Sequence, residues 1–461
     1  MRSLWFRPEP VDQPEPEWPS VWPHVLFYVV IQAICVVVVI LLWPEGKPPG
    51  TLRFYAAMLL PALPALIVVS GFFHYFTYEQ AMARASLWNR LCHQWRCDWR
   101  GWAQAHVAIV ASVVLAPEDD IAERMLGLEG SAPVNAGKIL PLAIDAPAGT
   151  TRLACVLEQL LRPLATAITA RERAGGYRVV LQTNREADLE VLRMVVRDLD
   201  LPLKATDLSW VSAAEARPMS DLWGKKPLSG SLLVLACQLH DPTTAPECSE
   251  LALGLLLSQP KVLVHTKPQA CLYRAISSGT TPVEHALATL LRAEQTPLTR
   301  LRHFWFTRLD SRSRHAVTTA VADLDRPVGI QDIDRCLGPA GPASDWLPAA
   351  LAAHMVDHGQ GSQLIATRHD GEVTLNVVAM PSARPAVPPP AVTLPKLWYS
   401  STIILGGSLF VLDVLYAGNG PMRLSWWAYL IVTVCVLAYF ALLEAVTLSA
   451  TVVHFKNRHL S

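Results

Sequence analysis

Apolar positions in this chain fall into long unbroken blocks at its two ends and short periodic runs between them. Residues 25–42 hold one polar side chain, Gln32, and no charge, and residues 54–73 are uncharged but include Pro61 and Pro64. Residues 397–416 carry one acid, Asp413, and residues 426–453 carry one, Glu444. Each block reaches the roughly 18–20 residues that cross a hydrocarbon layer about 30 Å thick. A spanning segment must satisfy its own backbone, so the four blocks are predicted to be helices forming two transmembrane hairpins. The two prolines predict a kink in the second helix, with a neighbouring helix packed there. Trp22, Trp43, Trp398, Tyr399, Trp426 and Trp427 flank the blocks, where amphipathic rings prefer headgroup level. The stretch before residue 25 is proline-rich and acidic, and no small-residue cleavage site follows Leu42, so a cleaved signal peptide is not expected.

Between the hairpins the pattern changes to short strand-like runs alternating with helical stripes. His106–Leu115, residues 177–182 and Ser231–Gln238 read as buried strands. Residues 153–170 read as a helix with Leu153, Leu157, Leu160, Leu161 and Leu164 on one stripe, and residues 186–199 and 281–293 as two more. Residues 250–258 fit a short apolar helix or strand, and residues 261–265 are a further strand candidate. Strands separated by helices predict a layered α/β domain with a largely parallel or mixed sheet. The expected organisation is a tail at 1–20, a first hairpin at 21–76, an Arg- and Trp-rich helix at 77–102, and the α/β domain at 103–380. A proline-rich linker at 381–396, a second hairpin at 397–453 and a tail at 454–461 follow. The 77–102 helix carries Trp88, Arg90, Trp95, Arg96, Trp99, Arg100 and Trp102, a composition suited to an anionic inner leaflet.

Charge then sets orientation. The 461 residues hold 39 Lys plus Arg against 39 Asp plus Glu, which argues against a nucleic-acid binder held by bulk positive charge. The hairpin loops carry little positive charge (Lys47 and Arg53 in the first, Arg423 in the second), whereas Arg84, Arg90, Arg96 and Arg100 follow the second block and Lys456 and Arg458 close the chain. The loops are therefore expected outside, with both termini and the central domain in the cytoplasm of a bacterial inner membrane. The nine cysteines, at 35, 92, 97, 155, 237, 248, 271, 336 and 435, are scattered and odd in number, which suits a reducing compartment. Asp413 and Glu444 are functional suspects as intramembrane acids. In antiparallel helices, however, Glu444 lies about 27 Å beyond Trp426 at 1.5 Å per residue, and the two acids read as interfacial.

Signatures of chemistry are few. The sequence has no phosphate-binding glycine loop, no nucleophile elbow and no H-E-x-x-H. His354 and His358 share a helix face at i and i+4, as a zinc site needs, but no third ligand is spaced nearby. Cys92, His93 and Cys97, and likewise Cys237, His240 and Cys248, lack paired C-x-x-C spacing. Gly338-Pro-Ala-Gly341 reads as a turn opening a helix. No catalytic, cofactor-binding or metal residue is assigned, and no cofactor is expected.

Two further stretches carry a resemblance. Residues 231–258, then residues 303–380 with their Leu337–Ala350 glycine turn and helix and their Asp370-Gly371 hairpin, are similar in order to the later half of thiolase and β-ketoacyl-synthase-like proteins. The resemblance implies a thiolase-like fold in which a glycine turn opens a buried helix and a strand pair closes the sheet. It also implies a Cys nucleophile before the strand matching Ser231–Gln238, with His or Asn partners. No cysteine lies between Cys155 and Cys237, the glycine turn has Pro339 at the histidine position, and Asp310-Ser-Arg312 occupies the other, with His303 and His315 out of register. A thiolate without its base and oxyanion donors gains little activation. The expectation is a membrane-anchored accessory protein, of the degenerate thiolase-like kind found near type VI secretion genes, that binds a protein partner. The alternative is a membrane-tethered acyl-thioester transferase or condensing enzyme, with Cys237 as the first cysteine to test.

Overall fold

The computed structural model describes residues 4–43, 45–173, 176–202, 207–213, 222, 228, 230–241, 243–263, 267–279, 281–369, 371–381, 406–407 and 426–459. The third predicted span with Asp413, and nearly all of the 381–396 linker, lie outside the described residues. Two compact units emerge: a body of residues 99–385 with residues 3–6, and a helical unit of residues 7–98 and 386–461.

In the helical unit α1 spans Trp22–Leu42 with no buried side chain, as the first block predicts. The second block is divided: α2 runs Leu52–Leu59 behind a Thr51 cap that accepts from Phe54 N, and α3 resumes at Ala62–His74. The division falls at Pro61, whose missing N–H cannot continue the helical ladder. A π-helical turn, Tyr75–Glu79, leads into α4, Gln80–Ala103. The C-terminal helix is Trp426–His459. Helices long and apolar enough to span a bilayer are thus present. A fourth stretch of that length and composition, Arg152–Glu172, belongs to the body, where its leucine stripe is buried.

Residues 7–17 run as an extended strap along the first part of α4. Arg96 meets Glu9 at 2.8 Å and Asp12 at 2.9 Å, Trp88 Nε1 donates to Val11 O, and Asn89 and Gln13 exchange two hydrogen bonds. Trp88 is consequently buried against the protein's own N-terminal segment. The aromatic and basic face read as lipid-facing is covered, at Trp88 and Arg96, by this acidic strap.

The body is built on eleven strands. In chain order these are β1 His106–Leu115, α5 Ile121–Met125, α6 Arg152–Arg173, β2 Tyr177–Thr183, α7 Asp188–Asp198, β3 Leu208–Ser212, β4 Ser231–Gln238 and β5 Leu251–Ser258. There follow β6 Ala270–Tyr273, β7 Ile276–Ser277, α8 Val283–Arg292, β8 Leu301–Phe306, α9 Ser311–Ala322, β9 Gly329–Asp332 and α10 Ile333–Leu337. The series closes with α11 Leu347–Asp357, β10 Ser362–His369 and β11 Glu372–Ala379. Residues 250–258 therefore resolve as a strand. The 261–265 candidate is corrected at its start: Pro260–Val262 is a 3-10 turn, because Pro260 sets the backbone for a turn and cannot donate to a ladder, while residues 264–265 lie outside the described residues.

The sheet order is β3-β2-β4-β5-β1-β6-β11-β10-β8-β9, with β7 beside β11. It is mixed: β4 is parallel to β2 and antiparallel to β5, and β10 is parallel to β8 and antiparallel to β11. Numbered within each half, both halves read 3-2-4-5-1 outward to inward, and they meet where β1 pairs antiparallel with β6. A strand pair closes each half, β4–β5 in one and β10–β11 in the other.

Alternation explains why β4 and β5 are almost wholly apolar. Val234 and Ala236 join the cluster around α11, while Leu233, Leu235 and Cys237 join the cluster under α6 and α7. A strand covered on both faces has no polar side to alternate with. The α11 cluster draws on both halves, from Leu253 and Leu255 on β5 to Trp305 on β8 and Ile365 on β10. At Gly254 a Cβ would lie 2.9 Å from Leu164 of α6, so the bare backbone lets that helix sit close to the sheet.

Candidate functional site

The carboxyl ends of β2, β4, β8 and β10 converge on the turn that opens α11. Two glutamines lie at these ends, Gln182 one residue before the last of β2 and Gln238 at the last of β4, and both side chains are buried. Trp346 Nε1 donates to Gln182 Oε1 at 3.2 Å, and Ala343 N donates to Gln238 Oε1 at 3.3 Å. Gln238 Nε2 in turn donates to Ser249 O at 2.6 Å. The expected glycine turn is present. Gly338 has a φ of +84°, and a Cβ on Gly341 would lie 2.1 Å from Gln238 Oε1, so neither position accommodates a side chain.

From the second half come Thr307 and Arg308, just past β8, and Asp345 and His369. Arg308 holds a left-handed backbone, φ +59°, uncommon for a long side chain. Asp334 fixes it there, accepting from Arg308 N at 2.8 Å and from Thr307 Oγ1 at 2.5 Å. Arg308 Nη1 then donates to Asp345 Oδ2 at 2.9 Å, and His369 Nδ1 stands 3.7 Å from the same oxygen. Asp345 is 2% exposed and its Oδ1 has no hydrogen-bond partner among the described residues. Burial pushes its carboxyl up to about 6, against the opposing pull of Arg308 and His369. Burial also raises Asp334, with Thr307 and Arg308 opposing it.

Burial disfavours the thiolate at several cysteines of the body. Burial pushes Cys237 and Cys271 up to about 12 and raises Cys336. Half-buried Cys248 is raised by burial and by Glu247, with Arg308 acting the other way. Cys237 faces the α6 and α7 cluster rather than the α11 turn. Of the residues tied to the implied histidine positions, Asp310 caps α9 through Ser313 N, and His303 lies on β8 with its pKa lowered by burial. Neither joins the α11 network.

The loose metal sets resolve into ordinary contacts. His354 Nε2 meets Glu123 at 2.6 Å, His358 Nδ1 bonds His354 O, Cys97 Sγ contacts His93 at 3.4 Å, and His240 Nε2 bonds Cys248 O. Among the described residues no group of three or more His, Cys, Asp or Glu could hold a metal.

Sequence reasoning missed a second buried centre. Glu250 is fully buried and accepts from Arg152 Nη1 and Nη2 at 2.6 Å, from Leu142 N at 2.6 Å and from His240 N at 2.7 Å. These bonds, the Arg152 pair foremost, outweigh burial and hold its carboxyl below its usual range. Beside this clamp a cleft of about 480 Å³ opens at the ends of β2 and β4, floored by Leu153, Cys237 and Leu239 and rimmed by Arg185, Asn184 and Asp241. One signal was visible in the sequence: YRVVLQ and SLLVLACQ are apolar runs that each close on a polar amide.

No family model and no curated protein matches the chain. Among solved structures, a type II polyketide synthase acyl-carrier protein in complex with its ketosynthase is similar at 9% identity and TM-score 0.45, covering 60% of this chain and 99% of that one. A 3-oxoacyl-(acyl carrier protein) synthase III from Xanthomonas oryzae is similar at 12% identity and TM-score 0.36, covering 59% and 98%. The module 1 ketosynthase of the Bacillus amyloliquefaciens bacillaene synthase is similar at 12% identity and TM-score 0.41, covering 62% and 75%. These overlaps are partial. The body's own topology carries the description: a mixed α/β fold on one large sheet, with a glycine turn opening buried α11 and a strand pair closing each half.

Proposed function

We propose that this chain is an inner-membrane-anchored accessory protein, of the kind associated with type VI secretion, whose thiolase-like body faces the cytoplasm and binds a protein partner instead of condensing acyl thioesters. The observation that carries this reading is the state of the α11 turn. The pair of half-buried Arg308 and buried Asp345 stands at the end of β8, beside the stretch where the resemblance implies a catalytic histidine. The Arg308 guanidinium stays protonated and has no lone pair to accept a proton from a thiol, so it cannot stand in for the histidine base that such chemistry needs. The anchoring part of the reading is supported by α1, an uncharged helix of 21 residues with no buried side chain.

The test has two arms. Full-length protein purified in detergent is expected to carry a stoichiometric partner and to remain unlabelled by an acyl-thioester probe at every cysteine. A solitary monodisperse protein would count against the binding reading. An acyl label on one cysteine, abolished by its replacement with alanine, would establish the transferase alternative. Cys248, half-buried and under the influence of Arg308, is the position at which that alternative is best examined.

A further inference from the structure

Within the helical unit an open cavity of about 640 Å³ lies between the strap, α4 and the C-terminal helix. Its walls include Pro14, Arg84, Trp88, Thr447, Thr451 and His454. The wall formed by the strap is fixed in place by the Arg96 ion pairs and the reciprocal Asn89–Gln13 bonds. Most polar atoms of the lining are already used. Trp88 Nε1 donates to Val11 O, Thr447 Oγ1 to Leu443 O, and Thr451 Oγ1 to Thr447 O. Arg84 differs. Its Nε reaches Gln80 O, it is exposed, and it has no carboxylate partner among the described residues.

Depth along the C-terminal helix identifies what fills this space. Thr447 and Thr451 belong to the last turns of the apolar block that ends at Val453, and His454, Lys456 and Arg458 follow directly. A helix that passes from apolar to basic within two turns marks the level of lipid headgroups. The cavity is therefore set where a phosphodiester lies, with a guanidinium on one wall and an imidazole on the other. Arg binds phosphate through paired N–H donors. The strap acids Glu15 and Glu17 do not line the cavity, whereas Arg84 and His454 do, which sets the anion against those two side chains.

We infer that this cavity binds the phosphate of an anionic lipid headgroup through Arg84, a site that rests on the membrane-anchored reading above. Bound there, the headgroup joins the strap to the two helices at the membrane surface.

The full chain is reconstituted in nanodiscs of phosphatidylcholine, with and without phosphatidylglycerol, and retained lipid is counted by native mass spectrometry. One phosphatidylglycerol is expected to stay with the wild type. Arg84→Gln is expected to weaken that retention roughly tenfold or more, the effect of losing a charge-assisted hydrogen bond. Arg90→Gln removes the same charge from an exposed position of α4 outside the cavity and is expected to retain the lipid. Equal loss in both variants would overturn the site in favour of diffuse surface attraction. Inorganic phosphate that stabilises the protein in pure phosphatidylcholine, with the same dependence on Arg84, would assign the cavity to a soluble phosphoryl ligand instead. Failure of the anchoring itself is read separately, as release of the protein from cell membranes by an alkaline carbonate wash.

Discussion

Replacing Arg152 by leucine strands a carboxylate inside the body. Glu250 has no exposed surface, whereas the Arg152 side chain is about one-third exposed. The two ends of this ion pair are therefore unequal. Without Arg152, Glu250 keeps the N–H groups of Leu142 and His240, with His240 Nδ1 3.6 Å away. Breaking a buried pair so that one charge is left uncompensated costs about 3–5 kcal/mol. The reverse change, Glu250→Gln, leaves a guanidinium that water can reach and still offers an acceptor to the two N–H groups. Its cost is expected near 1–3 kcal/mol. The assay is urea-titrated pulse proteolysis of the full chain in detergent, read as survival of the fragment containing the body. The asymmetry also has a pH signature. In the wild type the Glu250 carboxyl lies below its usual range, so its stabilisation is present above the unfolded value and lost as pH falls. In Arg152→Leu the buried group prefers its proton, so the penalty shrinks as pH falls from 7 towards 5. An Arg152→Leu cost under about 1 kcal/mol, or a Glu250→Gln cost that exceeds it, would refute this account of the clamp.

Asp345 gives the opposite slope. Its carboxyl rises from 3.8 to about 6, so the folded body binds the extra proton between those values and loses stability as pH rises through them. At 1.36 kcal/mol per unit this is about 3 kcal/mol, and Asp345→Asn should gain on the wild type across that window in the same proteolysis assay. A difference that does not change with pH would show that Asp345 is already ionised at the low end. Gly341→Ala places a methyl against Gln238 Oε1 and is expected to cost about 1–3 kcal/mol, measured by urea midpoint; a neutral substitution would mean that the turn is free to shift. For orientation, protease added to intact cells should leave the body whole, and cleavage within residues 103–380 would place it outside.

How much of this was legible depended on the range of the signal. Long apolar blocks and period-2 runs are local, and His106–Leu115 and Ser231–Gln238 could be delimited to the residue. The leucine stripe of α6 was read from a spacing of three and four residues. Short strands gave no such period. β6 has four residues and β9 has four, and each becomes a strand only by pairing with partners remote in sequence. The strand candidate beginning at residue 261 shows the converse, an apolar run whose start Pro260 diverts into a turn. The site was the least visible part. Arg152 and Glu250 are 98 positions apart, and Arg308 and Asp345 meet only because α11 begins at the end of β8 and β10. No spacing rule links such residues. What the sequence did hold was two apolar runs, residues 177–182 and 231–238, each closing on a glutamine.

Under the proposed reading of the body as a binding module, those glutamines acquire a use. The ends of β2 and β4 come from one half, and Arg308 and Asp345 come from the other. All four groups converge on the short stretch from Gly341 to Trp346. A condensing site at this junction would need room for a thiol, a base and an acyl chain. Here the polar atoms of the junction are mostly spent on each other, with Asp345 Oδ1 left over. A buried network of this kind contributes less net stability than its bond count implies, because every member is desolvated on folding. Its more durable effect is geometric: it holds the two half-sheets in one relation while the outer ends of β2 and β4 stay open as a cleft. A fixed joint beside an open rim is a suitable basis for recognising a partner, and this is why Gln182→Ala and Gln238→Ala should weaken partner retention through loss of the joint even though neither side chain is exposed. If partner binding in the copurification assay survives both substitutions unchanged, the junction is only structural and the recognition surface lies elsewhere on the body.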